Sequence, residues 1–554
     1  MIKGILSKVN DKRIGMRSFI NSLCLVLVLF FCVAPKHSFS QINTDTTVTG
    51  TPGFKQIEII QARSLRQITL SGDIVLETLA GNAKVRQGNT ILEGDSIVID
   101  KSTGFVEVFG NVHINDADTV HTYAQYLRYV GAQQIAYLQN KVKLTDGKAT
   151  LTTEDLTYDL KSGIASYQNG GKVVNGKTVL NSRHATYYSD TKDVFFDDQV
   201  KLKDPKYDME ADSLRYNTAF KTVYFISPTK IKTEEGKINT RSGIYKLETG
   251  EAIFYDKTVF RDSTRYISGN KVAFDEKSNT IQIEEYGKFV DSVNQVMILG
   301  DQILIDKKNN SFLATRKPVM ILYRDKDSTF ITADTLFSGI RAKDSIEMRL
   351  NEDDSSNTSL KEKKSDSVRY FVGYHNVRIY NDSIQAISDS MYISSLDSTF
   401  KLMKQPVCWN GNSQLSGDTI SLKTKSRQPE KLWVKNNAIM INKSNDGIFN
   451  QVSGTQMTGD FEKGQLTQLR TKGQPAESIY YAQDDDSAYV GMNRNSSDVI
   501  DAIFTNKELR KIKFINEVKG VMYPMNQIPP DKKTLSQFLW LMEKRPKSKM
   551  EIFE

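Results

Sequence analysis

The sequence predicts an all-β protein built from stacked repeats. Three observations carry this. Copies of one line begin at Leu92, Thr122, Leu151, Leu180, Met209, Ile238, Ile267 and Ile298, at intervals of 30, 29, 29, 29, 29, 29 and 31 residues. Inside each copy apolar and polar residues alternate, the period of strands with one buried face. Tyr (24) and Phe (26) are plentiful while Pro (12) is scarce, a balance that suits strands. Each unit is too small to bury its own apolar face, so the units stack into one elongated assembly.

Residues 1–40 read as a secretory signal. Lys3, Lys8, Lys12, Arg13 and Arg17 precede the apolar run Phe19–Ala34, and Ser38 and Ser40 place small residues before Gln41. At about 16 residues that run is short for a membrane span. Six of the leader's residues are Lys or Arg and one is Asp, so it supplies +5 of the net +8 and leaves +3 for the remainder. Charges of both signs are interspersed there, which argues against nucleic acid as a partner. Residues 41–54, rich in Thr and Gly, form a flexible lead-in.

The repeat block spans 55–340. Counting from each start, offsets +5 and +7 hold Ile97/Ile99, Leu127/Tyr129, Leu156/Tyr158, Ala185/Tyr187, Leu214/Tyr216, Gly243/Tyr245, Val272/Phe274 and Ile303/Ile305. Offsets +14 and +16 hold Val106/Val108, Ala136/Leu138, Ala165/Tyr167, Val194/Phe196, Val223/Phe225, Ala252/Phe254, Ile281/Ile283 and Phe312/Ala314. Val112/Ile114, Val142/Leu144 and Val200/Leu202 follow at +20 and +22. Turn residues such as Lys101–Gly104 separate the runs. In-register stacking aligns these positions into apolar stripes around one interior. The pattern leaves open whether that interior is a solid core or a groove.

Residues 341–369, rich in charge and Ser, read as a solvated linker or insertion. A second block of repeats, 370–523, restarts at Ala386 and Leu415, again 29 apart. The tail 524–554 carries Thr534–Lys544 (TLSQFLWLMEK), a short amphipathic helix that caps the array or docks a partner.

No enzyme constellation stands out, and neither a cofactor nor a metal is called for. His113, His121, His184 and His375 lack metal-ligand spacing. Asp95, Asp212, Asp301, Asp334, Asp389 and Asp418 share offset +3, which reads as a strand-entry turn position sooner than a ligand ladder. Asp484–Asp486 reads as a solvated loop. Cys408, at offset +22, is expected to point inward and be unreactive.

Gly81, Asn82, Val85, Gln87, Gly88, Asp95, Gly110, Asn111 and Val112 lie in the lines LAGNAKVRQGNTILEGDSIVID and GFVEVFGNVHI. This pattern resembles the OstA-like family, which includes the periplasmic lipopolysaccharide-transport protein LptA and the N-terminal domain of the outer-membrane translocon LptD. The resemblance covers 57–339 well and 370–476 loosely. It implies a β-jellyroll with an open, V-shaped interior that shields lipid A acyl chains. It also implies a periplasmic location, associated with the outer membrane, and no catalytic residues. Lipopolysaccharide, other transport proteins paired head to tail through edge strands, and an outer-membrane translocon are the implied partners. The lining expected of such a groove is Ile97, Ile99, Val106, Val108, Leu127, Tyr129, Leu138, Leu156, Tyr158, Tyr187, Phe196, Leu214, Tyr216, Val223, Phe225, Phe254 and Phe274. Two other readings stand beside it. One is a structural or adhesive β-solenoid at the cell envelope. The other, favoured less, is a carbohydrate-active β-repeat enzyme, for which no carboxylate pair can be singled out.

Overall fold

The computed structural model describes residues 57–553, apart from 70–74, 206, 235, 324–327, 343–366, 397, 426–427, 445–446, 485–487 and 506–507. The expected signal, the lead-in and most of the charged segment lie outside the described residues. Nearly everything described is antiparallel strand. Two compact units divide it: 57–263 with 270–277, and 264–269 with 278–553. The strands Thr335–Ala342 and Ser367–Tyr380 flank 343–366 and pair with each other. That segment therefore joins two strands of one unit, and the division into units falls near 264–278.

In the amino-terminal unit Val75–Gln87, Thr90–Asp100, Phe105–Asp116, Val120–Val130, Ile135–Thr145 and Ala149–Asp159 follow one another as antiparallel neighbours. Their pairing slips once near the middle of each strand, between Glu93 and Ser96 and between Phe109 and Val112 for example. At that slip every second strand carries consecutive left-handed residues: Gly81/Asn82, Gly110/Asn111, Asn140/Lys141, Asp198/Gln199 and Asp256/Lys257. Gly and Asn tolerate this conformation best. The Gly-Asn of the repeat is thus a corner where a strand folds over. Its two halves then contribute to one interior. Ile97, Val108, Leu127 and Leu138 from one half-sheet join Ala83, Val112, Ala124 and Val142 from the other in a single core cluster. Tyr167 and Ser182 hydrogen-bond across that interior at 2.6 Å.

Five of the six Asp residues at offset +3, all but Asp212, serve these corners and not the strand-entry turns. Asn111 Nδ2 donates to both carboxylate oxygens of Asp95 at 3.1 Å. Asn376 does the same to Asp334 at 3.1 and 3.0 Å, and Asn437 donates to Asp418 at 3.1 Å. Asp389 meets Lys404 at 2.9 Å and His375 at 3.0 Å. Bonds from Ser390, then Lys404 and His375, hold its carboxyl far below the usual range. Asp301 accepts from the Tyr286 backbone N–H at 3.3 Å. The turns are capped by other carboxylates: Asp100 accepts from Ser102 N–H at 2.9 Å and from the Ser102 and Thr103 hydroxyls at 2.6 Å.

The carboxy-terminal unit repeats the corner at Glu285/Tyr286, Arg316/Lys317, His375/Asn376, Lys404/Gln405 and Asn436/Asn437. Its tail differs from the expectation. Thr534–Leu541 is not helical; a 3-10 turn covers Met542–Lys544 and the short C-terminal helix forms at Met550–Phe553. The tail is a strap laid over the outer face of one half-sheet. Gln385, Trp409, Gln414, Ile441, Gln451 and Ile479 form a cross-strand row on that face. Gln451 donates to Lys533 O and accepts from Leu535 N–H, both at 2.9 Å. Gln414 donates to Leu539 O at 2.6 Å and accepts from Leu541 N–H at 2.8 Å. Each amide reads an extended backbone as a neighbouring strand would. Leu535 packs with Ile479, Tyr481 and Met492, and Ile552 with Val319 and Ile321.

Arg470 donates twice to Asp501, at 2.8 and 2.7 Å, from the adjacent strand. Those bonds hold the Asp501 carboxyl below its ordinary value. A depressed folded-state pKa adds stability in full above the unfolded value of about 3.9, and that stability is lost as pH falls through the folded value. Asp501→Asn is therefore expected to lower the thermal midpoint near pH 7, with the deficit shrinking as pH falls below about 3.9 and on through the folded value. Unfolding scans at pH 7 and through the acid range check this; a deficit that does not shrink in acid contradicts it.

Candidate functional site

Inner-face exposure is uneven, and this defines the site. In the amino-terminal unit inner positions are sealed both near the corners, as at Ile97, Val108 and Leu214, and nearer the turns, as at Tyr216 and Val223, all 0% exposed. Of the seventeen residues expected to line a groove, fifteen are buried; Tyr129 and Tyr158 are half-buried. Phe225 meets Phe254 with rings tilted at 5.5 Å, and Phe254 meets Phe274 edge to face at 5.8 Å. The groove reading thus meets a packed core over most of this unit. A lip remains over the strands 90–159, where Leu92, Ile114 and Leu144 of one half-sheet and Tyr129, Ala136 and Tyr158 of the other are half-buried. Burial pushes the Tyr129 and Tyr158 hydroxyls up, helped at Tyr158 by Asp116 and Asp159.

The carboxy-terminal unit is more open. One cross-strand row runs Ile305, Phe312, Ser338, Phe371, Ile393, Phe400, Leu422 and Leu432 on its inner face. Every member except Ser338, which is buried, is half-buried. The adjacent row nearer the corners, Ile303, Ala314, Leu336, Met391, Leu402, Ile420 and Val434, is buried. On the other half-sheet a second half-buried inner row follows, Cys408, Leu415, Met440 and Val452. The strap explains how this face stays open. Trp409 and Gln414 on the outer side are 0% and 1% exposed beneath the tail, so that half-sheet gains its burial from outside.

Cys408 points inward as expected. Its side chain is half-buried, yet burial pushes the thiol up to about 12. A crevice floor reconciles the two, being crowded by protein but reachable by a small probe. The sequence reading missed Phe371, Ile393, Phe400, Leu422 and Leu432 as lining. Ile393 and Phe400 stand at +7 and +14 from Ala386, and Leu422 at +7 from Leu415, so the same count finds them. Leu432 escapes it because the pairing register shifts between Lys423 and Thr424.

Arg369 sits two residues from Phe371 on the same inner face. Its Nη1 donates to Ser338 Oγ at 3.2 Å and Asn310 O at 3.3 Å. Burial lowers its pKa, offset in part by Asp291.

His113 and His121 lie on the outer face, 3.1 Å apart through Nε2 and Nδ1, with Glu93 3.2 Å from His113 Nδ1. Among the described residues no three His, Cys, Asp or Glu side chains gather so as to hold a metal ion. Asp484 accepts from Ala488 N–H at 2.8 Å; Asp485 and Asp486 lie outside the described residues. No described helix is long and apolar enough to cross a membrane, a statement that leaves strands aside.

Residues 55–212 match the model of the family described as OstA-like protein. No curated protein matches the sequence. Among solved structures, the chain is similar to LptH from Pseudomonas aeruginosa, described as the LptA homologous periplasmic component of the conserved lipopolysaccharide transport device. The match has 18% identity, covers 19% of this chain and 79% of that one, and has a TM-score of 0.17. The chain is an antiparallel β protein with an apolar inner lip, and its residues 55–212 are similar to the OstA-like family.

Proposed function

We propose that the protein is a periplasmic lipopolysaccharide-binding transport component that shields acyl chains along its apolar inner face on the way to the outer membrane. The observation that carries this reading is the half-buried apolar row from Ile305 to Leu432. Soluble proteins keep such contiguous apolar surface for a partner. A chain of a dozen carbons costs about 10 kcal/mol in water at ~0.8 kcal/mol per methylene. A stripe with few fixed polar contacts offsets that cost and lets the chain slide. The OstA-like segment supports the same reading. In this account the seventeen residues Ile97 to Phe274 meet lipid only where the two half-sheets part, beginning from Tyr129 and Tyr158.

Head-to-tail assembly fits the last strands. Lys519–Pro524 pairs with Tyr489–Thr505, and Val518, Val521 and Met522 are more than half exposed beside its other edge. Such an edge accepts a strand from a transport partner or a translocon. The sealed interior around Leu214 and Tyr216 favours a second reading for the amino-terminal unit alone, a solid-cored structural element at the envelope. Depletion of the protein in its own cell is expected to leave newly made lipopolysaccharide in the inner membrane. Normal delivery to the outer membrane after depletion contradicts the transport reading.

A further inference from the structure

We propose that Arg369 is an anion site at the lip of the carboxy-terminal row, taking the phosphate of a phosphorylated amphiphile whose acyl chain lies along Ile305, Phe312, Phe371 and Ile393. The proposal rests on the reading of that row as an acyl-chain surface. Arg369 lies on the same face as Phe371 and two residues away, about 7 Å along the strand.

Three features single it out. First, the guanidinium is half-buried, and buried charges are ordinarily paired. Among the described residues, none places a carboxylate within ion-pairing distance of it. Asp291, the carboxylate that influences it, is occupied with its own turn, accepting from Val293 N–H and Asn294 N–H at 3.0 Å and from Asn294 Nδ2 at 2.6 Å. Second, the contacts it does make orient it. Nη1 is held by Ser338 Oγ and Asn310 O, and the Arg369 backbone N–H donates to Ser395 Oγ at 3.0 Å. Among the described residues nothing engages Nε and Nη2, a fork that matches two oxygens of one phosphate. Third, the surroundings are amphipathic. Lys307 and Lys308 share the turn with Asn310, so positive charge gathers at one edge of an otherwise apolar stripe. A neutral acyl ligand has no use for such a group, whereas a phosphorylated one would satisfy it.

The test uses the full chain and two single-chain amphiphiles, dodecanoyl-glycerol phosphate and dodecanoyl-glycerol, each below its micelle concentration. Binding is read by displacement of a fluorescent fatty acid. The phosphorylated ligand is expected to bind about tenfold tighter or more, as a charge-assisted fork provides. Arg369→Gln should remove that preference and leave dodecanoyl-glycerol binding unchanged, the latter also confirming that the variant is folded. Arg369→Lys should restore part of it. Equal affinity for the two ligands, or a preference that survives Arg369→Gln, overturns the assignment while the acyl-chain reading stands. Binding of neither ligand overturns both. Inorganic phosphate competing as strongly as the phosphorylated amphiphile overturns the amphiphile in favour of a free-anion site.

Discussion

Trp409→Ala is expected to release the C-terminal strap and destabilise the carboxy-terminal unit by about 3–5 kcal/mol. Trp409 is 0% exposed and is among the largest fully buried side chains. It lies on the outer face beneath the tail, and its Nε1 donates to Gln414 Oε1 at 3.2 Å. Gln414 in turn holds Leu539 and Leu541. Truncation leaves a large void and frees the amide that reads the tail backbone. Because two units share the chain, a single global unfolding energy is poorly defined, and amide exchange at Leu541 is the better measure. Protection there should fall about 10²- to 10⁴-fold, matching the lost energy. Trp409→Phe, which keeps most of the volume, should lose far less. Unchanged protection in Trp409→Ala would mean the strap does not depend on this face.

Gly110→Ala is the second large effect. Gly110 has φ +67°, and a Cβ there would collide with Asp95 Oδ2. The left-handed backbone alone costs about 1–2 kcal/mol for an L-residue. Asp95 must also swing away from Asn111, losing two exposed bonds worth about 0.5 kcal/mol each. Together these predict about 2–3 kcal/mol, read as a lower urea midpoint for the amino-terminal unit. The account of the corner makes a sharper claim through the pair. In an Asp95→Ala background the collision is gone, so adding Gly110→Ala should cost the backbone term alone. Full additivity of the two substitutions contradicts the clasp.

The repeat was legible because one face of every strand must be apolar, and Ile97/Ile99 and Val106/Val108 mark that face without reference to any neighbour. The Gly-Asn corner was visible as a motif but not as a corner, since its meaning lies in the pairing slip between two strands. The same holds for the Asp residues at offset +3: Asp95 acts on Asn111, 16 residues away, and no local pattern announces that. Exposure was the least legible property. Tyr216 and Phe400 both occupy apolar inner positions, yet Tyr216 is sealed and Phe400 is half-buried. Over Trp409 and Gln451 the outer face is covered by the tail, and the alternation within Thr534–Lys544 looks helical only because Leu535, Phe538 and Trp540 happen to meet the sheet at strap spacing. Phe449 receives the last two at 5.3 Å.

The central claim is that the inner row of the carboxy-terminal unit carries acyl chains. Its most direct measurement places a photo-crosslinking residue at Phe400 and, in a second variant, at the adjacent Lys401. The two positions share a strand and differ in the face they present, Phe400 pairing with Ile393 and Leu422 along the inner row. Irradiation in growing cells, followed by immunoblotting for lipopolysaccharide, should give an adduct at Phe400 and none at Lys401. Equal labelling at both positions, or no adduct at Phe400, contradicts the account.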